Sequence, residues 1–273
     1  MSDRMTPAAR GDRVLAGYAW LVLALLVLPL IALIPISLGD SPTVSVLPDK
    51  LSLRWYREVL GGAEWRSAFW WSLATASVAT LISTSIGYLG AYAIVHSQSR
   101  LKGMLEVLML MPMMVPTVIV AFSTYVLATW MPANATWLMI SVGQGLLGLP
   151  VATLIIAASL RGIDGTVIRA AVSLGGDRRQ VFAFVTLPMA IHGIVSAAAL
   201  SFLIAFDELL IAVFLTRPGI ETLPVRIYDS VTYELTPAIA VVSVFLMALV
   251  CLAMLAGEVI RRLAANAAVN APQ

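Results

Sequence analysis

The sequence predicts an all-α integral membrane protein with six transmembrane helices, and three observations predict it. Apolar residues fill 60% of the 273 positions while charged residues fill only 12%, a balance outside the range of soluble domains. Six apolar stretches reach the roughly 20 residues that a helix needs to cross a bilayer core. Basic residues also segregate. If the N-terminus is inside, Arg4, Arg10, Arg13, Arg100, Lys102, Arg161, Arg169, Arg178, Arg179, Arg261 and Arg262 share that side. Lys50, Arg54, Arg57, Arg66, Arg217 and Arg226 then lie on the other. The bias favours both termini in the cytoplasm. It also accounts for the net charge of +2 without a nucleic-acid partner.

The spans are expected at Tyr18–Leu38, Ser67–Val95, Leu105–Trp130, Ala135–Leu160, Ile191–Leu215 and Ala238–Ile260. The first follows three arginines as a secretory signal would. Its apolar core is too long for one and no small-x-small cleavage site follows, so it reads as a retained helix. After it, Leu51–Leu60 has the apolar spacing of a short interfacial helix, with Trp55 and Tyr56 as anchors. Trp65, Trp70, Trp71, Trp130 and Trp137 are expected at the outer interface.

Spans two to four carry helix-bending residues: Gly87 and Gly90, Pro112 and Pro116, then Gly143, Gly145, Gly148 and Pro150. At membrane depth these need a neighbouring helix or a wet cavity to satisfy the freed backbone. Tyr125, Ser141 and Gln144 share the same spans and suggest a polar passage, or hydrogen bonds between helices. Cys251 is the single cysteine, so no internal disulfide forms, and it reads as a small packing residue. Residues 1–16 and 263–273 are short cytoplasmic tails around one membrane domain, 17–262, with a long cytoplasmic loop at 161–190.

The chain has no G-x-x-x-x-G-K-[ST] loop, no H-E-x-x-H, no paired CxxC and no G-x-S-x-G. It therefore offers no nucleotide loop, catalytic constellation or metal cluster of its own. The absence of an internal repeat weighs against carriers built from two related halves. Regularly spaced arginines and a filter-like glycine loop are absent too, which weighs against a channel.

The segment from Ile168 to Ile194 is basic, glycine-interrupted and helix-compatible on both sides of Gly175-Gly176. A helix from Asp164 or Thr166 to Leu174 would end at Gly175, because glycine accepts left-handed geometry. Asp177 can cap a second short helix through Phe184, which Pro188 closes. Val181, Phe182 and Val185 form an apolar side able to pack on a partner, and Arg178 and Arg179 can meet acidic groups. An amphipathic loop lying on anionic lipid is the alternative.

Ala170-Ala171-x-x-Leu174-Gly175, followed by Thr186-Leu187-Pro188, resembles the EAA loop of permease subunits of binding-protein-dependent ABC importers. The usual glutamate is replaced by Arg169. LSLRWYREVL from Leu51, MPMMVPTVIV from Met111 and AFDELLIAVFLTRPGIETLPVRIYDSV from Ala205 are similar to the polyamine-type, PotC-like branch. The resemblance implies a MetI-like fold and a multi-pass subunit of the bacterial inner membrane. It also implies an ATPase-coupling loop carried by Arg169, Ala170, Ala171, Leu174, Gly175, Arg178, Arg179, Leu187 and Pro188. Implied partners are a second permease chain, an ATPase dimer that holds the ATP and Mg, an extracytoplasmic binding protein, and a small cationic solute such as spermidine or putrescine. No cofactor is implied in this chain.

Asp207 and Glu208 lie about fifteen residues, or roughly 22 Å, into the fifth span. Carboxylates at that depth face a cavity or a partner. On one continuous helix, Glu208 joins the small polar stripe of Ser201, Ala205 and Ala212, while Asp207 joins Leu203 and Leu210. Asp207, Glu208, Ser201, Gln144 and Tyr125 are the candidates for the solute path, with Glu208 expected to face it and Asp207 to form a structural pair. Other readings are a self-sufficient carrier that moves protons on these acids, a membrane enzyme, or an assembly protein without flux.

Overall fold

The computed structural model describes residues 7–97, 99–234 and 236–269, and the side chains of 7–14, of Arg178 and of 260–269 are not described. The expected tail residue Arg4 and the tail end 270–273 lie outside the described residues. The described residues are mostly helical, and among them are only two isolated β-bridges, Gly39 with Leu51 and Arg217 with Ile220.

Four helices are long and apolar enough to cross a membrane: Leu15–Ser37, Ala63–His96, Ala133–Arg161 and Ala238–Val259. Two further candidates are bent pairs, Lys102–Met114 with Thr117–Ala128 at 96°, and Arg179–Met189 with Ile191–Phe206 at 66°. The count is therefore four to six. The expected third span is not one helix. It is α4 (Lys102–Leu110), a 3-10 turn Met111–Met114 and α5 (Thr117–Ala128). Pro112 and Pro116 impose the break, since proline removes a backbone donor and disfavours helix at the residue before it.

The chain divides into two compact units, residues 1–63 with 229–273, and residues 64–228. In the first, α1 (Pro7–Ser37) packs on α13 (Ala238–Val269), which also meets α2 (Arg54–Gly61). Both long helices extend into the residues expected as tails. The connection before α2 is closed by Ser52 N–H to Leu38 O at 2.7 Å and Asp40 N–H to Lys50 O at 3.2 Å. Tyr56 shares a 2.9 Å hydrogen bond with Ser37. Trp55 is buried, not laid in the interface as expected: its ring turns inward, and Arg54 lies 5.1 Å from the ring centroid. Cys251 is exposed on α13 instead of packed.

The second unit is centred on α3 (Ala63–His96), α6 (Thr136–Arg161) and α10 (Ile191–Phe206). Small residues let these helices approach closely. A Cβ on Gly87 would lie 2.9 Å from that of Ala152, and one on Gly145 would lie 3.0 Å from the carbonyl oxygen of Ala79. The Ser201 hydroxyl donates across to Gly148 O at 3.5 Å. At the start of α3, Trp71 donates to Gly219 O at 2.7 Å, and Ser72 accepts the Leu223 N–H at 2.7 Å. Arg226 pairs with Glu64 and stacks 5.3 Å from the Trp65 centroid. Trp65 and Trp71 are thus engaged within the unit, whereas Trp70 and Trp130 are exposed as an interfacial ring would be.

Candidate functional site

Helix α7 (Gly165–Ser173) begins at Asp164, whose carboxylate accepts the Thr166 N–H at 2.8 Å. That bond, then the Thr166 hydroxyl and the Arg169 charge, hold the Asp164 carboxyl below the usual carboxylate range. Arg169 therefore turns back along its own helix, and its guanidinium would lie 3.2 Å from a Cβ on Gly165. At the other end the Gly175 N–H donates to Val172 O at 3.0 Å and the Gly176 N–H to Ala171 O at 3.1 Å. With Gly175 at φ +87°, this is the paired 5→2 and 6→1 bonding of a Schellman motif, which needs a left-handed residue at that point.

Asp177 and Gln180 then form a reciprocal capping box. Asp177 accepts the Gln180 N–H at 2.7 Å, and Gln180 Oε1 accepts the Asp177 N–H at 3.0 Å. The second helix does not stop at Phe184 as expected. It runs through α8 (Arg178–Val181), a π turn Phe182–Thr186 and α9 (Leu187–Met189), and it breaks only at Ala190. The Leu187 N–H reaches back to Phe182 O. The wider turn gives Pro188 room that a regular α turn would deny its ring.

The apolar side expected to face a partner is mostly turned inward. Val181 is 7% exposed. Phe182 meets Tyr88 and Tyr92 of α3 edge-on, at centroid distances of 5.5 and 5.1 Å. Phe182 and Leu187 join a core of α3, α6 and α10 residues that includes Tyr88, Ile156 and Ala197. The outward surface instead carries Leu174 (89% exposed), Phe184 (78%) and Val172, with Arg169, Ala170, Arg179 and Pro188 also exposed and Ala171 half-buried. Residues 165–189 are thus a two-sided element: one face is locked to the membrane helices and the other is uncovered.

The acidic pair sits at a helix break that hydropathy hides. The expected fifth span divides into α10 and α11 (Leu210–Leu215), so the continuous stripe through Ser201, Glu208 and Ala212 does not exist. Glu208 is 9% exposed, and both its carboxylate oxygens accept the Ile211 N–H, at 3.1 and 2.9 Å. It caps α11. Asp207 was the residue expected in a structural pair, yet its carboxylate is exposed and, among the described residues, makes no ion pair or hydrogen bond. It lines a cleft of about 530 Å³ with Thr117, Leu147, Leu203 and Leu210, and Glu208 also borders this cleft. Ser201 and Gln144 are buried between helices and lie outside its lining, and Gln144 Oε1 has no hydrogen-bond partner among the described residues. Tyr125 is exposed on α5. No group of three or more His, Cys, Asp or Glu among the described residues could hold a metal ion.

A sequence model of the family described as "Binding-protein-dependent transport system inner membrane component" matches residues 83–262. The chain is 30% identical to the putrescine transport system permease protein PotI of Escherichia coli K12, over 77% of each chain. It is 25% identical to the spermidine/putrescine transport system permease protein PotC of the same organism, over 90% of this chain and 93% of that one. Its fold matches a crystal structure of a bacterial ABC transporter that imports the acidic polysaccharide alginate. The TM-score is 0.72 at 14% identity, over 93% of this chain and 96% of that one. The chain belongs to the inner membrane components of binding-protein-dependent transport systems, as a multi-pass permease subunit of a bacterial ABC importer and not an enzyme.

Proposed function

We propose that this permease carries a small cationic solute of the polyamine class. The single observation that carries the reading is the Asp207 carboxylate, exposed and unpartnered among the described residues, in a largely apolar cleft at a helix break that Glu208 also borders. An amine is the chemical complement of such a group, because a hydrogen bond between an ammonium and a carboxylate is charge-assisted and stronger than a neutral one. The two relatives, a putrescine and a spermidine/putrescine permease, support the same class. Asp207 is the solute contact in this reading. Glu208 shapes the site by holding α11, while Ser201 and Gln144 serve the packing of the helices and Tyr125 remains exposed on α5.

The wider assembly follows the same reading. A second permease chain completes the path, and a pair of ATPase subunits carrying ATP and Mg grips the uncovered face of residues 165–189. A binding protein delivers solute from the opposite side, and both termini lie in the cytoplasm. Arg169, Ala170, Ala171, Leu174, Gly175, Arg178, Arg179, Leu187 and Pro188 carry the coupling. Leu174 and its exposed neighbours meet the ATPase, while Leu187 and Phe182 pass the motion to α3, α6 and α10. ATP binding and release would bias the pair of permeases between inward-open and outward-open states through differential contacts in each.

The test is ATPase stimulation. The complex that co-purifies with this chain, reconstituted with its binding protein, should hydrolyse ATP faster with putrescine or spermidine and not with trehalose. Stimulation by the sugar alone would overturn the solute class.

A further inference from the structure

We infer that the cleft between the end of α3 and residues 165–189 binds an anionic phospholipid. The cleft has a volume of about 850 Å³, within the range of small-molecule sites. One wall is a single stripe of α3: Leu89, Tyr92, Ala93 and His96 recur at helical spacing and share a face. Along it the lining passes from an apolar residue within the spanning helix to a polar one at its end, over roughly 10 Å. That is the polarity gradient of a lipid, tail inward and headgroup outward. The facing wall supplies Ile168, Val172, Phe182 and Arg179.

The charge of the cleft selects the class. Arg179 is the cation of the lining, His96 adds an imidazole, and among the described residues no carboxylate lines the cleft. A guanidinium presents a planar fork of donors suited to phosphate, and its stem can lie along apolar surface. The His96 ring stacks on Tyr92 at 4.4 Å, and its Nδ1 lies 3.2 Å from Tyr92 O, so Nε2 remains for the headgroup. Arg100 and Lys102 follow directly in the chain and add to the positive field at this end of α3. The lipid would touch Phe182 and Val172 together, so the local leaflet would bear on the element that links the membrane helices to the outer face of α7.

The experiment is native mass spectrometry of the complete transporter after delipidation and return of phosphatidylglycerol or phosphatidylcholine. The wild type should retain phosphatidylglycerol over phosphatidylcholine. Placing a carboxylate at the histidine wall and neutralising the arginine (His96→Glu with Arg179→Gln) should lower retention by about tenfold or more, through lost attraction and added repulsion of the anionic headgroup. Leu89→Trp fills the cleft from an exposed α3 position without changing charge, and it should lower retention as well. Equal retention of the two lipids, or retention unchanged in both variants, overturns the inference.

Discussion

Gly175 offers the sharpest perturbation of the coupling reading, because the physical cost of changing it has one source. A Cβ placed there meets nothing within 4 Å, and the residue sits at φ +87°. Substitution therefore strains the backbone without a clash. Left-handed geometry costs an ordinary L-residue about 1–2 kcal/mol, less for Asn, and a β-branched residue is a genuine outlier there. The ladder Gly175→Asn, Gly175→Ala, Gly175→Val should therefore weaken the Schellman turn progressively. A loss of 1–2 kcal/mol lowers the closed-to-open ratio by a factor of about 5–30. Amide exchange at residues 175 and 176, the two donors of the motif, reads that factor directly. Solute imported per ATP hydrolysed should fall in the same order. Gly176→Ala reaches the same outcome by another cause, since its Cβ would lie 2.9 Å from Ala171 O. Wild-type amide exchange and wild-type coupling in Gly175→Val would refute the argument.

Three further outcomes are expected. Phe182→Ala removes two edge-on aromatic contacts, each worth about 0.5–1.5 kcal/mol beyond area burial, so ATP hydrolysis should persist while uptake falls, with Phe182→Leu recovering part of it; loss of both activities together in a well-assembled complex would contradict this. Asp207→Asn should raise the solute concentration needed for half-maximal uptake with assembly intact, whereas Glu208→Gln should chiefly lower thermal stability, because a neutral oxygen caps α11 less strongly; a reversal of the two phenotypes in uptake and melting assays would restore Glu208 to the path. The Asp164 carboxyl is held below its ordinary range, so its cap stabilises α7 above the unfolded carboxylate pKa and is lost as pH falls through the lower folded value. Amide exchange at Thr166 should thus stay protected through neutral and mildly acidic pH, and early loss of protection above the ordinary carboxylate range would be contrary evidence.

What the sequence could reveal depended on whether a feature left a composition signal. The long apolar helices α3 and α6 are plain in hydropathy because nothing interrupts their backbone bonds except residues that packing tolerates, such as Pro150. The turn at Gly175 is equally plain, since only glycine suits it. By contrast, the Asp207–Leu209 break carries no proline or glycine, and Phe206 to Leu215 reads as continuous helix around its two acids. The signal that could have exposed it is Glu208 three residues before Ile211, the spacing of a side chain that caps a new helix. Pro188 misled in the opposite sense, because the π turn before it absorbs the ring and the helix runs on. Val181 and Phe182 belong to an apolar face that a membrane core or a partner could cover equally well. Only the tyrosines of α3 decide between them.

ATP-dependent uptake tests the central claim most directly. The complex co-purified with this chain would be reconstituted in proteoliposomes with ATP on the side of residues 165–189 and the binding protein with labelled putrescine or spermidine opposite. The account predicts accumulation that requires ATP hydrolysis, needs more solute when Asp207 is changed to Asn, and falls per ATP hydrolysed when Gly175 is changed to Val. Accumulation driven by an ion gradient in vesicles holding this chain alone would contradict it.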